Sequence, residues 1–260
     1  MNSRAFATCA IAAASSVALS VPGFAECEVQ SGANTAALVE LYTSEGCSSC
    51  PPADRQLSML RQTLGPGTEV IPLALHVNYW DYIGWKDPYA QSAFGDRQKW
   101  LVHANNQRTI YTPQFFIGGV ELRSRRETLR SEVLRLNTTP AAAAIRLKAG
   151  LAASGALALN AEARAHADTD RLALYLAVTE SGLVSQVTRG ENGGVTLMHD
   201  HVVRAWLGPA RLSGDTARVR REVVLPRVWN RARLEVVAFV QDERNGRVLQ
   251  AVSARQCAGS

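Results

Sequence analysis

The chain has 260 residues and a formal net charge of +5 at pH 7, and 47% of its residues are hydrophobic. This composition is typical of a globular protein. The arginines are dispersed along the chain and form no basic block, which argues against a nucleic acid as the partner.

Residues 1–25 have the pattern of a secretory signal. Arg4 precedes an apolar, alanine-rich run over residues 5–21, and the small residues Gly23 and Ala25 stand shortly before Glu26. This order predicts cleavage after Ala25 and a periplasmic or secreted protein. No later stretch approaches the ~20 consecutive apolar residues of a transmembrane helix, so we expect no membrane contact once the signal is removed.

The first half of the mature chain alternates between strand and helix patterns. A nearly continuous apolar run over residues 37–42 predicts a strand covered on both faces. Residues 70–77 predict a second strand. The helix between them has apolar side chains at helical spacing, at Ala53, Leu57, Leu60 and Leu64.

An insertion over residues 78–106 follows the second strand. Asp87 and Pro88 predict the start of its helix, because Asp caps a helix and Pro fits the first position. Residues 114–122 then predict a hairpin that turns at two glycines. Ser124 and Glu127 form a capping box for the next helix.

Beyond a linker at residues 137–140, short strands dominate. Residues 172–178, 218–224 and 234–240 are examples. They predict an antiparallel, β-sandwich-like domain over residues 141–260, following an α/β domain over residues 26–137.

Four cysteines remain in the mature chain. Cys47 and Cys50 are three residues apart, while Cys27 and Cys257 lie near the two ends. The even number and the oxidising compartment favour two disulfides, and the simplest pairing joins Cys47 to Cys50 and Cys27 to Cys257. We expect the second bridge to be structural, with intermolecular pairing as its alternative.

The Cys47–Cys50 pair stands where a strand ends and a helix begins. Unpaired backbone N–H groups and the helix dipole there would favour a thiolate at Cys47. Cys50 lies on the same face one turn later and could resolve a mixed disulfide. The pattern therefore predicts a redox-active dithiol.

Three local motifs resemble those of the thioredoxin superfamily: the strand with Glu40, the Cys-Ser-Ser-Cys turn, and Thr112-Pro113 before a Phe-Phe-Ile strand. The element order β-α-β-α-β-β-α is also that of a thioredoxin-like fold. The resemblance implies that Pro113 is cis and faces the cysteines, with Thr112 beside the substrate. It also implies that Glu40 relays a proton to Cys50. The alternative for Glu40 is a structural acid paired with Lys or Arg.

A longer set of motifs is similar to a bacterial secreted family known as domain of unknown function 1223. These motifs are Gly46-Cys47-Ser48-Ser49-Cys50-Pro51-Pro52, the run from His76 to Pro88, and Tyr111-Thr112-Pro113-Gln114. The resemblance implies a fold but no substrate. Unlike ordinary thioredoxins, this chain has Gly46 immediately before the first cysteine and Glu45 immediately before Gly46.

Aromatic residues are densest in the insertion. Trp80, Tyr82 and Trp85, with neighbouring tyrosines, could form an apolar lip beside the cysteines that contacts a peptide substrate. Packing of the inserted helix is an equally good explanation.

The patterns together predict a thiol–disulfide oxidoreductase that acts on a protein or peptide thiol or disulfide, works with an unidentified redox partner and needs no cofactor. One alternative is a copper or zinc protein in which His76, His199 or His201 completes the ligand set, because two cysteines supply only half of a tetrahedral site. Another alternative is a non-enzymatic binding module with a structural disulfide.

Overall fold

The computed structural model describes residues 27–123, 128–165 and 170–255. Strands take up 44% of these residues and helices 19%. The strands in the first half are β1 (Cys27–Gln30), β2 (Ala37–Thr43), β3 (Val70–His76), β4 (Gln114–Ile117) and β5 (Val120–Glu121). The helices are α1 (Pro51–Ser58), α2 (Leu60–Leu64), α3 (Ser92–Ala104) and α4 (Leu129–Asn137).

Strands dominate the second half. They are β6 (Ala143–Leu151), β7 (Leu157–Ala165), β8 (Leu172–Glu180), β9 (Leu183–Gln186), β10 (Thr196–His199), β11 (Val202–Arg211), β12 (Thr216–Val223), β13 (Leu234–Asp242) and β14 (Val248–Arg255). Two 3₁₀ turns, Asp81–Ile83 and Arg231–Arg233, complete the described elements.

An eight-stranded sheet runs through the molecule in the order β14-β13-β8-β11-β3-β2-β4-β5. Strand β3 is parallel to both β2 and β11, and the other neighbours in this sheet are antiparallel. A four-stranded sheet, β1-β6-β7-β12, and the two-stranded hairpin β9–β10 accompany it. Strands from before and after the predicted linker at residues 137–140 therefore share one sheet.

The predicted fold class is wrong. We expected a thioredoxin-like α/β domain with a helical insertion, followed by a separate antiparallel β-sandwich. The structure is instead mostly β, with large sheets and few helices, and no thioredoxin-like α/β fold is evident. Local apolar patterns could not reveal the parallel pairing of β3 with β11, which sets Ala74 opposite Val202.

The core lies on both faces of the eight-stranded sheet. Leu38 and Tyr42 of β2 pack on the side of α3, whereas Val39 and Leu41 pack on the side of α1 and α4. At the other end of the sheet, β8 and β13 pack against the four-stranded sheet. Both strands are buried along their whole length, because each has a core on either face.

Several local predictions are confirmed. Strands β2, β3 and β4 coincide with the apolar runs predicted for them, and β4 and β5 form the predicted hairpin. The predicted helix start at Asp87 is wrong, because α3 begins at Ser92 and Asp87 forms a buried ion pair.

The capping box of Ser124 and Glu127 lies outside the described residues. Among the described residues, α4 begins after Thr128, whose hydroxyl accepts a hydrogen bond from the backbone N–H of Ser131. No helix in the described ranges has the length and apolar character needed to cross a bilayer.

Candidate functional site

Cys47 and Cys50 form a disulfide in the turn between β2 and α1, with their Cα atoms 5.4 Å apart. The pairing predicted for them is confirmed. Cys47 is only 1% exposed and Cys50 is fully buried, while Ser48 and Ser49 between them are exposed. The structure therefore holds a formed disulfide whose sulfurs are covered.

The start of α1 lacks the unpaired backbone N–H groups that were expected to favour a thiolate at Cys47. Pro51 and Pro52 have no N–H, and the N–H groups of Ala53 and Asp54 both donate to the carbonyl oxygen of Cys50. The first turn of α1 thus offers no unpaired N–H to a thiolate, although the helix dipole remains. The Oγ atom of Ser49, which is 3.4 Å from the Sγ atom of Cys47, is a polar contact to that sulfur.

The hairpin β9–β10 and its connecting loop, residues 187–195, cover the cysteine turn; we call residues 183–199 the covering hairpin. The side-chain amide of Asn192 donates to the carbonyl oxygens of Glu45 (2.8 Å) and Cys47 (3.1 Å). Glu191 accepts from the N–H of Ser48 at 2.9 Å. These contacts are polar, so water could replace them if the hairpin moved.

Two acid–histidine pairs lie buried beside the cysteine turn. Asp87 Oδ2 is 2.7 Å from His76 Nδ1 and also accepts from the N–H of Glu45. The carboxylate of Glu45 in turn binds His199 at 3.0 Å and the indole N–H of Trp85 at 2.7 Å. The rings of the two histidines are 5.0 Å apart, so the pairs form one cluster.

The charges within this cluster shift the pKa values of His76 and Asp87. Burial acts to lower the pKa of His76, but the negative charges of Asp87, Asp54 and Glu45 outweigh it and hold that pKa above its ordinary value. Burial acts to raise the pKa of Asp87, yet the charge and hydrogen bond of His76 keep it below its usual range. His76 and Asp87 therefore favour the charged pair, as expected for a buried pair with additional hydrogen bonds.

Asp54 is the third acid of the cluster and lies one helical turn after Cys50. It is 8% exposed, and its Oδ1 atom has no hydrogen-bond partner among the described residues. Burial raises the pKa of Asp54, against the opposing effects of His76, His199 and the Thr43 hydroxyl. Asp54 is thus a buried acid that takes up a proton more readily than an exposed one.

Thr112 and Pro113 lie at the same end of the sheet as the cysteine turn. The pairing of β2 with β4 sets Tyr42 opposite Gln114, so the chain entering β4 lies beside the chain leaving β2. The Thr112–Pro113 peptide bond is cis, as the resemblance implies.

Trp80 links Thr112 to the cysteine turn. Its indole N–H donates to the Thr112 hydroxyl at 2.8 Å, and a Cβ placed on Gly46 would come within 3.0 Å of the Trp80 Cβ. This close approach explains why glycine precedes Cys47.

The remaining aromatic residues have separate positions. Trp85 is held by Glu45, and Tyr89 packs edge-on against His76 and His199. Tyr82 is 83% exposed. The structure therefore brings Trp80, Trp85 and Tyr89 to the site, while Tyr82 extends into solvent.

Glu40 faces away from α1. Its neighbours on the same face of β2 pack with α3, and its Oε1 atom is 2.7 Å from the guanidinium of Arg97. Arg97 is also hydrogen-bonded to Gln241. This geometry fits the alternative of a structural acid paired with arginine better than it fits a proton relay to Cys50.

Of the three histidines considered as metal ligands, the structure brings His76 and His199 together and leaves His201 apart. His199 ends β10 and binds Glu45, whereas His201 has a left-handed backbone (φ 59°) and lies 3.8 Å from Glu235. His201 therefore lies in the turn after β10 and not in that strand. Within the described ranges, no group of three or more His, Cys, Asp or Glu side chains could hold a metal ion.

Cys27 is disulfide-bonded. Its predicted partner, Cys257, lies outside the described residues, so the proposed bridge between the chain ends stays a prediction.

Asp54 and Asn192 belong to the site but were not predicted from the sequence. Asp54 could have been found, because it is four residues after Cys50 and that spacing places both on one helix face. No sequence pattern marks Asn192, because the residues it contacts, Glu45 and Cys47, lie far from it in the sequence.

One family model matches most of the chain. Residues 38–241 match the family described as protein of unknown function (DUF1223). No curated protein matches the chain.

Two solved structures are similar. Protein AGR_C_4864 from Agrobacterium tumefaciens has a TM-score of 0.60 at 21% identity, with 86% of this chain and 95% of that chain covered. HBP35 of Porphyromonas gingivalis has a TM-score of 0.64 at 16% identity, with 86% and 76% covered. At these identities the likeness concerns the fold alone.

Proposed function

The chain belongs to the DUF1223 family of unknown function, and from the chemistry of its cysteine turn we propose that it is a thiol–disulfide oxidoreductase acting through Cys47 and Cys50. The observation that carries this proposal is a disulfide between cysteines three residues apart, set at the start of a helix and beside a buried cluster of acids and imidazoles. The proposal depends on this site and not on the fold, since the mostly β architecture does not support a thioredoxin-like domain. It includes export through the signal predicted over residues 1–25.

In the proposed reaction, the thiolate of a protein or peptide substrate attacks the sulfur of Cys47. A bond forms between the two sulfurs, the Cys47–Cys50 bond breaks, and the sulfur of Cys50 leaves with the electron pair. A second substrate thiolate then releases Cys47, so that two substrate thiols are oxidised to a disulfide and both cysteines are reduced. The reverse sequence reduces a substrate disulfide.

The departing Cys50 sulfur needs a proton, and Asp54 is the acid we propose for it. Asp54 follows Cys50 by one turn, and its Cα–Cβ bond leans towards the start of the helix as in any α-helix. Burial raises the pKa of its carboxyl towards that of a thiol, which suits a group that passes a proton to and from the Cys50 sulfur. Asp54 thereby takes the role that the resemblance implies for Glu40.

A trapping experiment tests the proposal. The reduced Cys50→Ser variant should attack oxidised glutathione and retain one glutathione on Cys47, because no second thiol can displace it. The wild-type protein should instead release both glutathione molecules and form its internal disulfide. A Cys47→Ser variant that reacts as fast as Cys50→Ser, or a Cys50→Ser variant no faster than a free thiol, would contradict the proposal.

The same assay examines the proton step. Asp54→Asn should slow the closure of the internal disulfide and change its pH profile while leaving the attack of Cys47 intact. An unchanged profile would remove Asp54 from the mechanism without affecting the roles of the cysteines.

The burial of both sulfurs favours a second candidate function, a binding protein with a structural disulfide. In that case neither cysteine would exchange with thiols in the folded protein, so the trapping experiment also separates the two candidates.

A further inference from the structure

A cavity of about 450 Å³ opens away from the cysteine turn, where the end of α1 meets β13, β14 and the turn between β10 and β11. Three arginines line it, Arg61, Arg233 and Arg255, together with the two acids Asp200 and Glu235. The charged side chains around the cavity therefore carry an excess of positive charge.

Both acids already have partners. The two carboxylate oxygens of Glu235 accept from Arg61 at 2.6 and 2.9 Å, and Asp200 accepts from the N–H of Gly182 at 2.9 Å. Glu235 is thus occupied by one guanidinium in a two-point contact, which is the strongest geometry for such a pair.

The other two arginines have no such acceptor. Among the described residues, the guanidinium groups of Arg233 and Arg255 have no hydrogen-bond acceptor, and the ion-pair contact of Arg255 is a 3.8 Å approach to Glu235. Burial and the nearby charge of Arg61 lower the pKa of Arg255, despite the opposing charges of Glu235 and Glu69. Two solvent-exposed guanidinium groups therefore line one cavity without a hydrogen-bond acceptor among the described residues.

A buried histidine forms part of the same wall. His201 is 9% exposed, has a left-handed backbone, and its Nδ1 atom has no hydrogen-bond partner in the described part of the chain. Non-glycine residues in this conformation occur preferentially at functional sites. Its ring can report on a charge that enters the cavity.

We propose that this cavity binds a small oxyanion, such as a carboxylate, sulfate or phosphate group, through Arg233 and Arg255. A guanidinium presents parallel N–H donors that match two oxygens of such a group, and the anion would relieve the repulsion between Arg255 and Arg61. The hydroxyl of Ser58, at the end of α1, lies in the same wall as a further donor. The site is independent of the cysteine chemistry and would exist in either candidate function.

The test is a titration of the full mature protein with sodium sulfate at constant ionic strength, followed by the NMR signals of the His201 ring. We expect a saturable shift of these signals that sodium chloride does not reproduce. The double variant Arg233→Gln/Arg255→Gln should weaken the apparent affinity at least tenfold. A control, Arg220→Gln/Arg221→Gln, removes the same charge from exposed residues of β12 and should leave the affinity unchanged.

A second titration with inorganic phosphate and with acetate distinguishes the anion classes that share this chemistry. The proposal is overturned if the His201 signals shift without saturation, or if the double variant binds as the wild type does while its spectrum remains that of a folded protein.

Discussion

Ser49 illustrates how a single side chain can set the reactivity of the cysteine turn. The prolines of α1 leave no free backbone N–H for the sulfur of Cys47, whereas the Ser49 hydroxyl contacts it at 3.4 Å. In the reduced protein this hydroxyl can donate to a thiolate, which favours the charged form.

We therefore expect Ser49→Ala to raise the pKa of the Cys47 thiol by about 1, since a hydrogen bond to a charged group contributes about 1.5 kcal/mol and a pKa change of 1 corresponds to 1.36 kcal/mol. Thiolate absorbance of the reduced protein over a pH titration measures this. Ser48→Ala is the matched control, because Ser48 is the adjacent exposed serine. Equal pKa values in the two variants would show that Ser49 does not act on the sulfur.

His201 is a second single residue with a testable effect, because it makes the stability of the folded protein depend on pH. Burial and the charge of Arg61 lower its pKa from 6.5 to about 4. The unfolded chain therefore binds a proton between these two pH values that the folded protein does not, and stability is lost as the pH falls from 6.5 to about 4. The lowered pKa corresponds to a loss of about 3 kcal/mol.

His201→Asn should remove this loss, and Asn also tolerates the left-handed backbone. Urea unfolding at pH 7 and at pH 4 measures the free energy of unfolding. The exposed His103 of α3 supplies the control variant, His103→Asn, which should keep the wild-type dependence. If His201→Asn lost as much stability as the wild type between these pH values, His201 would not be the group responsible.

At the scale of elements, the covering hairpin decides whether thiols reach the disulfide. Asn192 holds it to the carbonyl oxygens of Glu45 and Cys47, and His199 holds it to the Glu45 carboxylate. Opening the hairpin must break these polar contacts before a thiol can meet Cys47.

We predict that Asn192→Ala increases the rate of disulfide reduction by dithiothreitol about 30-fold, because the variant loses two hydrogen bonds worth about 1 kcal/mol each. Thr196→Ala on the same hairpin should leave the rate unchanged, since that hydroxyl binds only the exposed Gln186. Free-thiol release over time is the measurement. Equal rates for both variants would mean that reduction proceeds without hairpin opening.

The local strands and turns near the site could be predicted from the sequence, but the contacts they make with distant parts of the chain could not. Strand β2, the hairpin β4–β5 and the turn with Cys47 and Cys50 follow from short apolar runs and turn residues. Asp87 has the sequence context of a helix cap, but its buried contact with His76 determines its position. Such long-range contacts leave no mark in the local pattern.

At the scale of the molecule, the eight-stranded sheet makes the two halves of the chain depend on each other. Strand β3 lies between β2 and β11, and the core beside α3 includes Tyr175 and Phe239 from the second half. A chain cut at the predicted linker would expose both the edge of β3 and this core.

We accordingly expect a fragment of residues 26–137 to remain unfolded, because it lacks the partner strand and much of the apolar burial that stabilises it. Circular dichroism and amide hydrogen exchange of this fragment and of residues 26–260 test this. Slowly exchanging amides in the fragment would instead establish an independent domain ending near residue 137.

The proposed redox function depends most directly on the equilibrium between the Cys47–Cys50 disulfide and a thiol redox buffer. The folded protein comprising residues 26–260 can be equilibrated with mixtures of reduced and oxidised glutathione or dithiothreitol, alkylated and weighed by mass spectrometry. We predict reversible exchange with a reduction potential between about −270 and −120 mV, the range of thiol–disulfide exchange proteins. A potential below about −300 mV, or reduction only after unfolding in urea, would identify a structural disulfide and contradict the proposed function.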